Sequence, residues 1–395
     1  MRNPAPSAGS RKRPPVIKVT APIFIISFDR PDYLGSLCKT LRSQTGVEID
    51  ETQIFLMQDG AISAYSGNRY SDDGAIHATV ETFRQYFPNG RVIQSNENLG
   101  IARNIRRAEN IAFEELRAEV GYFFEDDLEL GSKYLLAMET LKESLANTGQ
   151  PVAYFAAYGD HRVDRVGDGV NVVSMDHHWG FGLFRQAWTQ IDGWMQPYYE
   201  LLDGTDYKYR NGLRIFELME KYKVAHDKSS QDSMKTLACA DLGLARVMTD
   251  ACFARYMGKV GQSFTEQKFI ELGYDKTKIY EPDEIKLNEP SAELLKTLVG
   301  NQLSKYRNFR ETEYSVFVEN CRRKNWNPDR LVDEQDIIDL YRTLLNRYPE
   351  TAAIKSSAGK HVFRQLRQGI LESQEFRGGT GLRFASPLPQ SNGKS

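Results

Sequence analysis

The sequence lacks the features that mark membrane-spanning, secreted and zinc-stabilised proteins. It contains no run of about 18 apolar residues, and its basic N-terminus is not followed by the apolar segment of a secretory signal. Its 4 cysteines are scattered and form no Cys-x-x-Cys pair, which argues against both a zinc ribbon and a disulfide framework. We therefore expect a protein without a transmembrane segment, in a reducing compartment such as the cytoplasm.

An excess of charge of one sign is also lacking. The 395-residue chain has 51 Lys and Arg residues against 53 Asp and Glu residues, so no overall field attracts nucleic acid or an anionic membrane. Nucleic acid is not an expected partner, and an anionic ligand would have to be bound by local groups. The hydrophobic fraction of 41% is enough to bury at least one large core.

What the sequence does contain is a series of short apolar runs that alternate with amphipathic segments. The runs are PIFIISF (22–28), QIFLM (53–57), RVIQ (91–94), VGYFF (120–124) and VAYFAAY (152–158). Between them, segments such as NIRRAENIAFEELRAEV (104–120) place apolar residues on one helical face. This alternation predicts an α/β fold with a mixed, mostly parallel sheet flanked by helices.

Polar residues directly follow four of these runs. They are Asp29-Arg30-Pro31, Gln58-Asp59-Gly60, the segment from Ser95 to Gly100, and Glu125-Asp126-Asp127. Because the carboxyl ends of parallel strands lie at one edge of an open sheet, where ligands bind, we expect these clusters to meet in one cleft. Taken alone, a cluster such as Gln58-Asp59-Gly60 is explained at least as well by a polar strand-to-helix turn.

The three consecutive carboxylates of FFEDDLEL (123–130) need a cationic partner or solvent, because neighbouring carboxylates repel each other and are costly to bury. Magnesium and manganese prefer oxygen ligands of this kind and complete their coordination with phosphate and water. Strand alternation would direct Glu125 and Asp127 to one side and Asp126 to the other. The alternatives here are a divalent-metal site and a solvated acidic turn that caps the next helix.

In this order, PIFIISFDRP, LMQDG, NENLGIARN and FFEDDLEL resemble the GT-A-type nucleotide-sugar glycosyltransferases, which have a Rossmann-like fold. NENLGIARN (96–104) is similar to a helix start of the bacterial family 2 inverting enzymes, and EDDLE (125–129) resembles the metal motif of N-acetylglucosaminyltransferase I. HHWGFGLFRQAW (177–188) is similar to the acceptor-side segment of that enzyme, and SQDSM (230–234) and GKVGQSF (258–264) extend the resemblance.

The resemblance implies roles for the matching acidic residues. Asp127 would be the direct ligand of Mn²⁺ or Mg²⁺, and Glu125 and Asp126 would lie beside the ribose and the sugar of a UDP-sugar donor. Asp232 aligns with the catalytic aspartate that takes the proton from the acceptor hydroxyl. Around this position the family has a second acidic residue and a tryptophan, which this chain lacks. Other candidates for the base therefore remain, namely Asp206, Asp227 and Asp241.

The resemblance also implies where the nucleotide binds. Phe28, Asp29 and Arg30 would lie at the nucleotide, and Asp59 would accept a hydrogen bond from the uracil ring. Asn98 and Arg103 would hold the diphosphate or the edge of the base.

Two further residues, both in HHWGFGLF (177–184), are expected at the donor site. The indole of Trp179 would pack on a sugar ring, and Gly180, like Gly182, suggests a close backbone approach or a positive φ, although a simple turn is an equal alternative. His177 and His178 lack a third ligand at metal spacing and are more typical of a loop. The tyrosine-rich segment 196–212 is a candidate acceptor-binding or lid loop, or a surface excursion.

Composition divides the chain into four parts. We predict a disordered leader (1–18), a glycosyltransferase domain (19–285), a charged helical C-terminal module (286–377) and a disordered tail (378–395). Residues 333–377 resemble small helical modules appended to bacterial glycosyltransferases. This module would contact a protein, dock the acceptor, or only support the domain.

The sequence thus predicts a metal-dependent, inverting hexosyl- or N-acetylhexosaminyltransferase of the kind used in polysaccharide biosynthesis. Its acceptor would be a hydroxyl of a glycan, a lipid-linked sugar or a protein, and a bacterial or viral cytoplasm is the expected setting. The base would be ionised at the ordinary aspartate pKa near 3.9 and would need positioning more than pKa tuning. Two alternatives stay open: a sugar nucleotidyltransferase, although PIFIISFDRP lacks its Gly-rich phosphate loop, and a catalytically silent binding or scaffold protein.

Overall fold

The computed structural model describes residues 16–162, 167, 169–259, 265–326 and 331–380. Residues 1–15 of the predicted leader, 381–395 of the predicted tail and 260–264 of GKVGQSF (258–264) lie outside the described residues. The predicted leader ends too late, because residues 17 and 18 belong to a strand, and the predicted tail begins too early, because residues 378–380 are helical. Among the helices within these ranges, none is long and apolar enough to cross a membrane.

An eight-stranded sheet forms the centre of the described structure. In spatial order its strands are β5 (Arg91–Gln94), β4 (Ile54–Gln58), β2 (Ile23–Ser27), β6 (Val120–Glu125), β10 (Phe181–Phe184), β8 (Val152–Ala156), β11 (Ala245–Thr249) and β9 (Val172–Ser174). Strands β9 and β10 run antiparallel to their neighbours, and every other adjacent pair is parallel. The predicted α/β class with a mixed, mostly parallel sheet is confirmed.

Two small ribbons and a series of helices surround this sheet. The ribbons pair β1 (Ile17–Val19) with β3 (Val47–Ile49) and β7 (Leu128–Leu130) with β12 (Ala254–Tyr256). The helices are α1 (Pro31–Arg42), α2 (Asp73–Tyr86), α3 (Gly100–Asn110), α4 (Tyr134–Ala146), α5 (Arg185–Leu202), α6 (Gly212–Met219), α7 (Gln231–Leu242), α8 (Glu266–Glu271), α9 (Ala292–Thr312), α10 (Tyr314–Trp326), α11 (Glu334–Leu345), α12 (Thr351–Ser357) and α13 (Phe363–Glu372).

A ladder of phenylalanines runs across the middle of the sheet. Phe24 of β2 stacks between Phe55 of β4 and Phe123 of β6, with ring centroids 4.8 and 5.3 Å away, and Phe123 stacks in turn on Phe181 of β10 at 5.3 Å. Directly opposed aromatic side chains stabilise neighbouring strands and fix their register. The ladder therefore sets where the carboxyl ends of β2, β4 and β6 lie relative to one another.

Local sequence determines where the helices next to these strand ends begin. Helix α1 starts with Pro31, whose fixed φ suits the first helical position and whose missing N–H costs nothing there. Helix α7 starts after Ser230, whose side chain accepts a hydrogen bond from the Ser233 N–H, and ends at Gly243 with φ of 68°. Residues 28–30 therefore lie just before the start of α1, and residues 230–232 lie at the start of α7.

The hydrophobic core does not divide at the predicted boundary between residues 285 and 286. Leu295 of α9, together with Tyr314 and Val318 of α10, belongs to the same buried cluster as the central sheet. Helices α11 to α13 instead form two small clusters of their own, one of which includes Tyr209. By packing, the separate helical unit begins after α10.

The close packing at Gly182 can be tested by adding one methyl group. An alanine Cβ there would lie 2.3 Å from Phe155 Cζ, so Gly182→Ala should lower the free energy of unfolding by about 1–3 kcal/mol. The matched control is Gly193→Ala in α5, where no heavy atom lies within 4 Å of the added Cβ and alanine favours the helix. Urea denaturation measures both, and equal stability of the two variants would contradict the packing at Gly182.

Candidate active site

A cleft with a volume of about 470 Å³ lies at the carboxyl edge of the parallel strands. The predicted site residues that line it come from the ends of β2, β4, β5 and β6, as expected for an open α/β sheet. They are Phe28, Asp29, Arg30, Asp59, Asn98, Glu125, Asp126 and Asp127. The structure therefore brings together the four polar clusters that the sequence pattern predicts to meet.

Glu125, Asp126 and Asp127, which we call the acidic rim, do not alternate as residues of one strand. Strand β6 ends at Glu125, and Asp126 and Asp127 form the turn that leads into β7. The predicted alternation is wrong here, because the turn directs Asp126 and Asp127 to the same partner, Arg30. A strand period cannot be extended through a turn whose position the sequence does not fix.

Arg30 neutralises the acidic rim. Its Nη2 donates to Asp126 Oδ1, and its Nη1 lies 3.0 Å from Asp127 Oδ2. The arginine side chain is 29% exposed, whereas the two carboxylate side chains are 2% and 4% exposed. Partial burial acts to lower the pKa of Arg30, but the adjacent charges of Asp126 and Asp127 outweigh it and raise that pKa. The guanidinium is therefore a permanent cation at this position.

The two paired carboxylates also have partners that do not depend on Arg30. Ser27 Oγ donates to Asp126 Oδ2 at 3.0 Å, and the Tyr256 hydroxyl hydrogen-bonds to Asp127. Asp127 Oδ1 is buried and has no hydrogen-bond partner among the described residues. The backbone at Gly258 approaches closely, since an added Cβ would lie 2.7 Å from Asp127 Oδ2. Asp127 is thus held firmly with one oxygen still available.

Burial raises the pKa of each acid of the rim. Burial lifts the pKa of Asp126 to about 6, and burial also raises the pKa of Asp127; the charge of Arg30 opposes both shifts. The pKa of Glu125 is raised by burial and then by the charges of Asp127 and Asp232. A cation entering the cleft would relieve the repulsion that opposes ionisation of these groups.

Asp59 organises the loop that begins α3. Its Oδ1 accepts from the backbone N–H groups of Gly60 at 2.9 Å and Leu99 at 2.7 Å. Its Oδ2 accepts from the Gly100 N–H at 3.0 Å and from Asn98 Nδ2 at 3.3 Å. Burial raises the pKa of Asp59 to about 6, and these backbone donors act against the rise. The contact with uracil stays a prediction, since the carboxylate already receives these hydrogen bonds.

Arg103 is not among the residues that line the cleft. Its guanidinium donates to the Leu202 carbonyl and, at 3.2 Å, to the Thr205 carbonyl, and it lies over the Tyr65 ring at 4.8 Å. In this arrangement it holds the loop that follows α5. Its predicted contact with the diphosphate would require these bonds to be exchanged.

Asp232 lies beside the cleft in the first turn of α7. Gln231 Nε2 donates to Asp232 Oδ1 at 2.7 Å, and the Gln231 N–H donates to the hydroxyl of Tyr207, a cleft residue, at 2.9 Å. Burial raises the pKa of Asp232, and the charges of Lys235 and Arg246 act against this. The expectation of an ordinary aspartate pKa at this position is therefore wrong.

The three rival aspartates have other partners. Asp206 lines the cleft but already accepts from the hydroxyls of Ser63, Ser66 and Tyr70. Asp227 is exposed beside His226, with Asp227 Oδ1 2.7 Å from His226 Nδ1. Asp241, at the far end of α7, accepts from Trp194 Nε1 at 3.0 Å. Among these four candidates for the base, only Asp206 and Asp232 are near the cleft.

A buried ion pair fixes the position of α7. Lys235 of α7, which is 1% exposed, donates to Glu109 of α3, which is equally buried. Removing one partner of such a pair leaves an uncompensated buried charge, so the two helices are strongly constrained at this point. Because Asp232 lies one turn before Lys235, this pair also restrains the turn of α7 that carries Asp232.

The structure does not bring Trp179 to the cleft. The Trp179 indole is stacked between His177 at 4.4 Å and Tyr256 at 4.5 Å, so both of its faces are covered. Gly180 has a φ of 50°, as the pattern predicts, and an added Cβ would lie 2.8 Å from the Tyr134 hydroxyl. His177 and His178 lie in the loop between β9 and β10, as the spacing predicts, and His178 is buried against Tyr154. Trp179 thus packs against the cleft residue Tyr256 and does not itself line the cleft.

Sequence reasoning missed several residues that line the cleft. Tyr256 stacks on Trp179 and hydrogen-bonds to Asp127. Tyr70 lies in the loop before α2 and also lines the cleft. The tyrosine-rich segment 196–212 gave a usable signal, because residues 206–208 line the cleft. No pattern in the sequence marked Tyr70 or Tyr256, since each reaches the site only through the packing of distant loops.

A second, larger groove adjoins the helical unit. It has a volume of about 1000 Å³ and is lined by both the sheet domain and α11, including Tyr65, Arg214 and Arg342. Segment 204–209 forms a wall between the two spaces, because residues 204, 205 and 209 line the groove and residues 206–208 line the cleft. Arg342 Nη2 and the Tyr348 hydroxyl donate to the Gly204 carbonyl, at 3.0 and 3.1 Å. The helical unit thus contacts the wall of the cleft.

Within the described ranges, no group of three or more His, Cys, Asp or Glu side chains is arranged to hold a metal ion. In the acidic rim, two of the three carboxylates are paired with Arg30. The rim nevertheless offers the oxygen donors that magnesium and manganese prefer, with Asp127 Oδ1 still unpartnered. Its chemistry therefore fits a hard divalent ion.

The structural role of Asp59 gives a prediction for stability. Asp59→Ala leaves the N–H groups of Leu99 and Gly100 without their acceptor, and the Gly60 N–H keeps only the Glu97 carbonyl at 3.2 Å, so the free energy of unfolding should fall by about 1–3 kcal/mol. In the control Asp73→Ala, only an exposed pair with Arg69 is lost, and the expected change is below about 1 kcal/mol. Urea denaturation at pH 7 compares them, and an Asp59→Ala protein as stable as the control would refute this role.

No family model matches the sequence, and no curated protein sequence matches it either. The chain is similar in structure to S. aureus TarS 1-349, at 12% identity and a TM-score of 0.37, over 88% of this chain and 90% of that one. Complexes of TarS 1-349 with UDP-GlcNAc and with UDP match over the same shares at 13% identity, with TM-scores of 0.36 and 0.37. TM-scores at this level are too low for the similarity to bear on the activity.

Proposed function

We propose that the protein is a metal-dependent, inverting glycosyltransferase that uses a UDP-sugar. The observation that carries the proposal is the meeting of the acidic rim, Arg30 and Asp59 in one cleft, with Asp232 beside it. Such a cleft offers carboxylates for a divalent ion, one arginine for a diphosphate, and a separate carboxylate for an acceptor proton. The identity of the donor as a UDP-sugar follows from the sequence resemblance alone.

The acidic rim would hold the metal ion. Asp127 is the proposed direct ligand because it is buried, restrained by Tyr256, and has an unpartnered oxygen. Glu125 and Asp126 would lie beside the ribose and the sugar. When bound, Mn²⁺ or Mg²⁺ would neutralise the charge that develops on the leaving diphosphate. Arg30 is the protein's own cation at this position and suits the same task, since a guanidinium binds phosphate oxygens in pairs.

Asp232 is the proposed general base. Its carboxylate would accept the proton of the acceptor hydroxyl as that oxygen attacks the anomeric carbon from the face opposite the leaving diphosphate. Attack from the opposite face inverts the anomeric centre. Because burial raises the pKa of Asp232, the ionised side chain is a stronger base than an exposed aspartate, and Lys235 and Arg246 help to keep it ionised.

The acceptor would be a hydroxyl of a glycan, a lipid-linked sugar or a protein, and the transferred sugar a hexose or an N-acetylhexosamine. The groove beside the helical unit supports acceptor docking there, since segment 204–209 separates it from the cleft by a single layer of chain. Tyr65 and Tyr348 give this groove aromatic surface of the kind that packs on sugar rings.

The metal assignment is tested by Asp127→Asn. Loss of one negative charge and replacement of one carboxylate oxygen by an amide nitrogen should lower Mn²⁺-dependent release of UDP from a UDP-sugar by at least about 100-fold. The control is Glu129→Gln, two residues further along, where only a pair with Arg255 outside the cleft is lost. A panel of UDP-sugars identifies the donor first.

The same assay separates the alternatives. Pyrophosphate exchange instead of UDP release would favour a nucleotidyltransferase, and the absence of both would favour a binding protein. Near-normal Mn²⁺-dependent release by Asp127→Asn would overturn the assignment of the metal ligand.

The assignment of the base is tested by Asp232→Asn. Transfer to the acceptor should fall by about 100- to 10,000-fold, because no group then accepts the proton, while the dissociation constant for UDP stays as in the wild type. Asp227→Asn is the control, since that residue is exposed and 57% of its side chain is accessible. Undiminished transfer by Asp232→Asn would move the base elsewhere, with Asp206 the next candidate in the cleft.

A further inference from the structure

We propose that Arg30 is an exchangeable counter-ion: it holds Asp126 and Asp127 while no divalent cation is bound, and moves to the donor diphosphate when one binds. This inference rests on the proposed function, because it requires a metal site at the acidic rim. Arg30 would have two successive partners, first the carboxylates of the acidic rim and then the donor diphosphate. Substitution of Arg30 should therefore change the affinities for Mn²⁺ and for UDP in opposite directions.

The present contacts of Arg30 leave little room for a second cation. Arg30 contacts one oxygen of each carboxylate, namely Asp126 Oδ1 and Asp127 Oδ2. The other oxygen of Asp126 accepts from Ser27, so Asp127 Oδ1 is the one oxygen of this pair that has no partner among the described residues. A divalent ion bound to Asp127 would therefore lie next to a guanidinium in a largely desolvated place, where like charges repel strongly. The two cations compete for the rim.

The acidic rim would keep its shape when Arg30 leaves. Ser27 still holds Asp126 at 3.0 Å, and Tyr256 still holds Asp127. Tyr256 is itself fixed by its stacking on Trp179, with ring planes 6° apart. The ligands are thus positioned by groups other than the arginine, which makes the arginine replaceable.

Arg30 is placed so that it can move. It is the residue before α1, with non-helical φ and ψ of −117° and 71°, and its side chain is the exposed member of the cluster. The Tyr33 ring, 5.1 Å from the guanidinium carbon, supports it on the α1 side. Arg30 also lines the cleft next to Asp29, where the nucleotide is proposed to bind. A guanidinium at this position can exchange carboxylate oxygens for phosphate oxygens without a change in the backbone.

The exchange gives a signature that a merely structural residue would not give. Arg30→Gln removes the competitor, so Mn²⁺ alone should bind at least about tenfold more tightly. The same substitution removes a phosphate ligand, so UDP in the presence of saturating Mn²⁺ should bind at least about tenfold more weakly. A variant with a disordered rim would lose affinity for both.

The experiment measures Mn²⁺ binding by electron paramagnetic resonance and UDP binding by isothermal titration calorimetry. The matched control is Arg255→Gln, which removes an arginine paired with Glu129 in the ribbon next to the rim without releasing Asp126 or Asp127. Arg30→Lys is the second variant, since it keeps a charge that can hold the rim but lacks the paired donors, and both of its affinities should lie between those of wild type and Arg30→Gln.

The outcomes separate this inference from the proposed function. If the wild-type protein binds Mn²⁺ but neither Arg30→Gln nor Arg30→Lys binds it more tightly, the exchange is refuted and the metal site is retained. If Arg255→Gln increases the affinity for Mn²⁺ as much as Arg30→Gln does, the effect comes from the loss of any nearby positive charge, and the exchange is also refuted. If wild type and all variants fail to bind Mn²⁺, with or without UDP, the metal site itself is refuted and the exchange with it.

Discussion

Neutralisation of the buried acidic rim is the constraint on which the rest of the site depends. Three consecutive carboxylates at the end of β6 cannot stay close together in a desolvated cleft without a cation. Arg30 supplies that charge from the end of β2, the strand adjacent to β6. The pairing ties together two segments that lie 96 residues apart in the chain.

The framework around this pair is rigid where the chemistry needs it. The phenylalanine ladder holds β2, β4, β6 and β10 in register, and so holds the ends of the first three strands at one level. The buried pair of Lys235 and Glu109 fixes α7 against α3, which sets the position of Asp232. The Trp179 stack supports Tyr256 from behind. Aromatic packing and one buried ion pair thus position the charged groups of the cleft.

Much of the fold and part of the site could be predicted from the sequence. Runs of four to seven residues indicate parallel strands, and the polar residues after four of these runs were predicted to meet at one sheet edge, which places Asp29, Asp59, Asn98 and Asp127 together. Contacts between distant loops could not be predicted in the same way. The pattern around Trp179 does not reveal that His177 and Tyr256 cover both faces of its indole, nor does NENLGIARN reveal that Arg103 turns toward residues 202–205.

Local patterns were enough to predict the class of the fold, the edge of the sheet where the cleft lies and the acids that reach it, because the alternation of apolar strands with amphipathic helices can be recognised within short segments of the chain. Which charges meet depends on tertiary contacts. Arg30 faces Asp126 and Asp127 because a tight turn follows β6, and Asp59 is surrounded by backbone donors because the start of α3 folds over it. These pairings depend on distances between segments far apart in the chain, which no local pattern specifies.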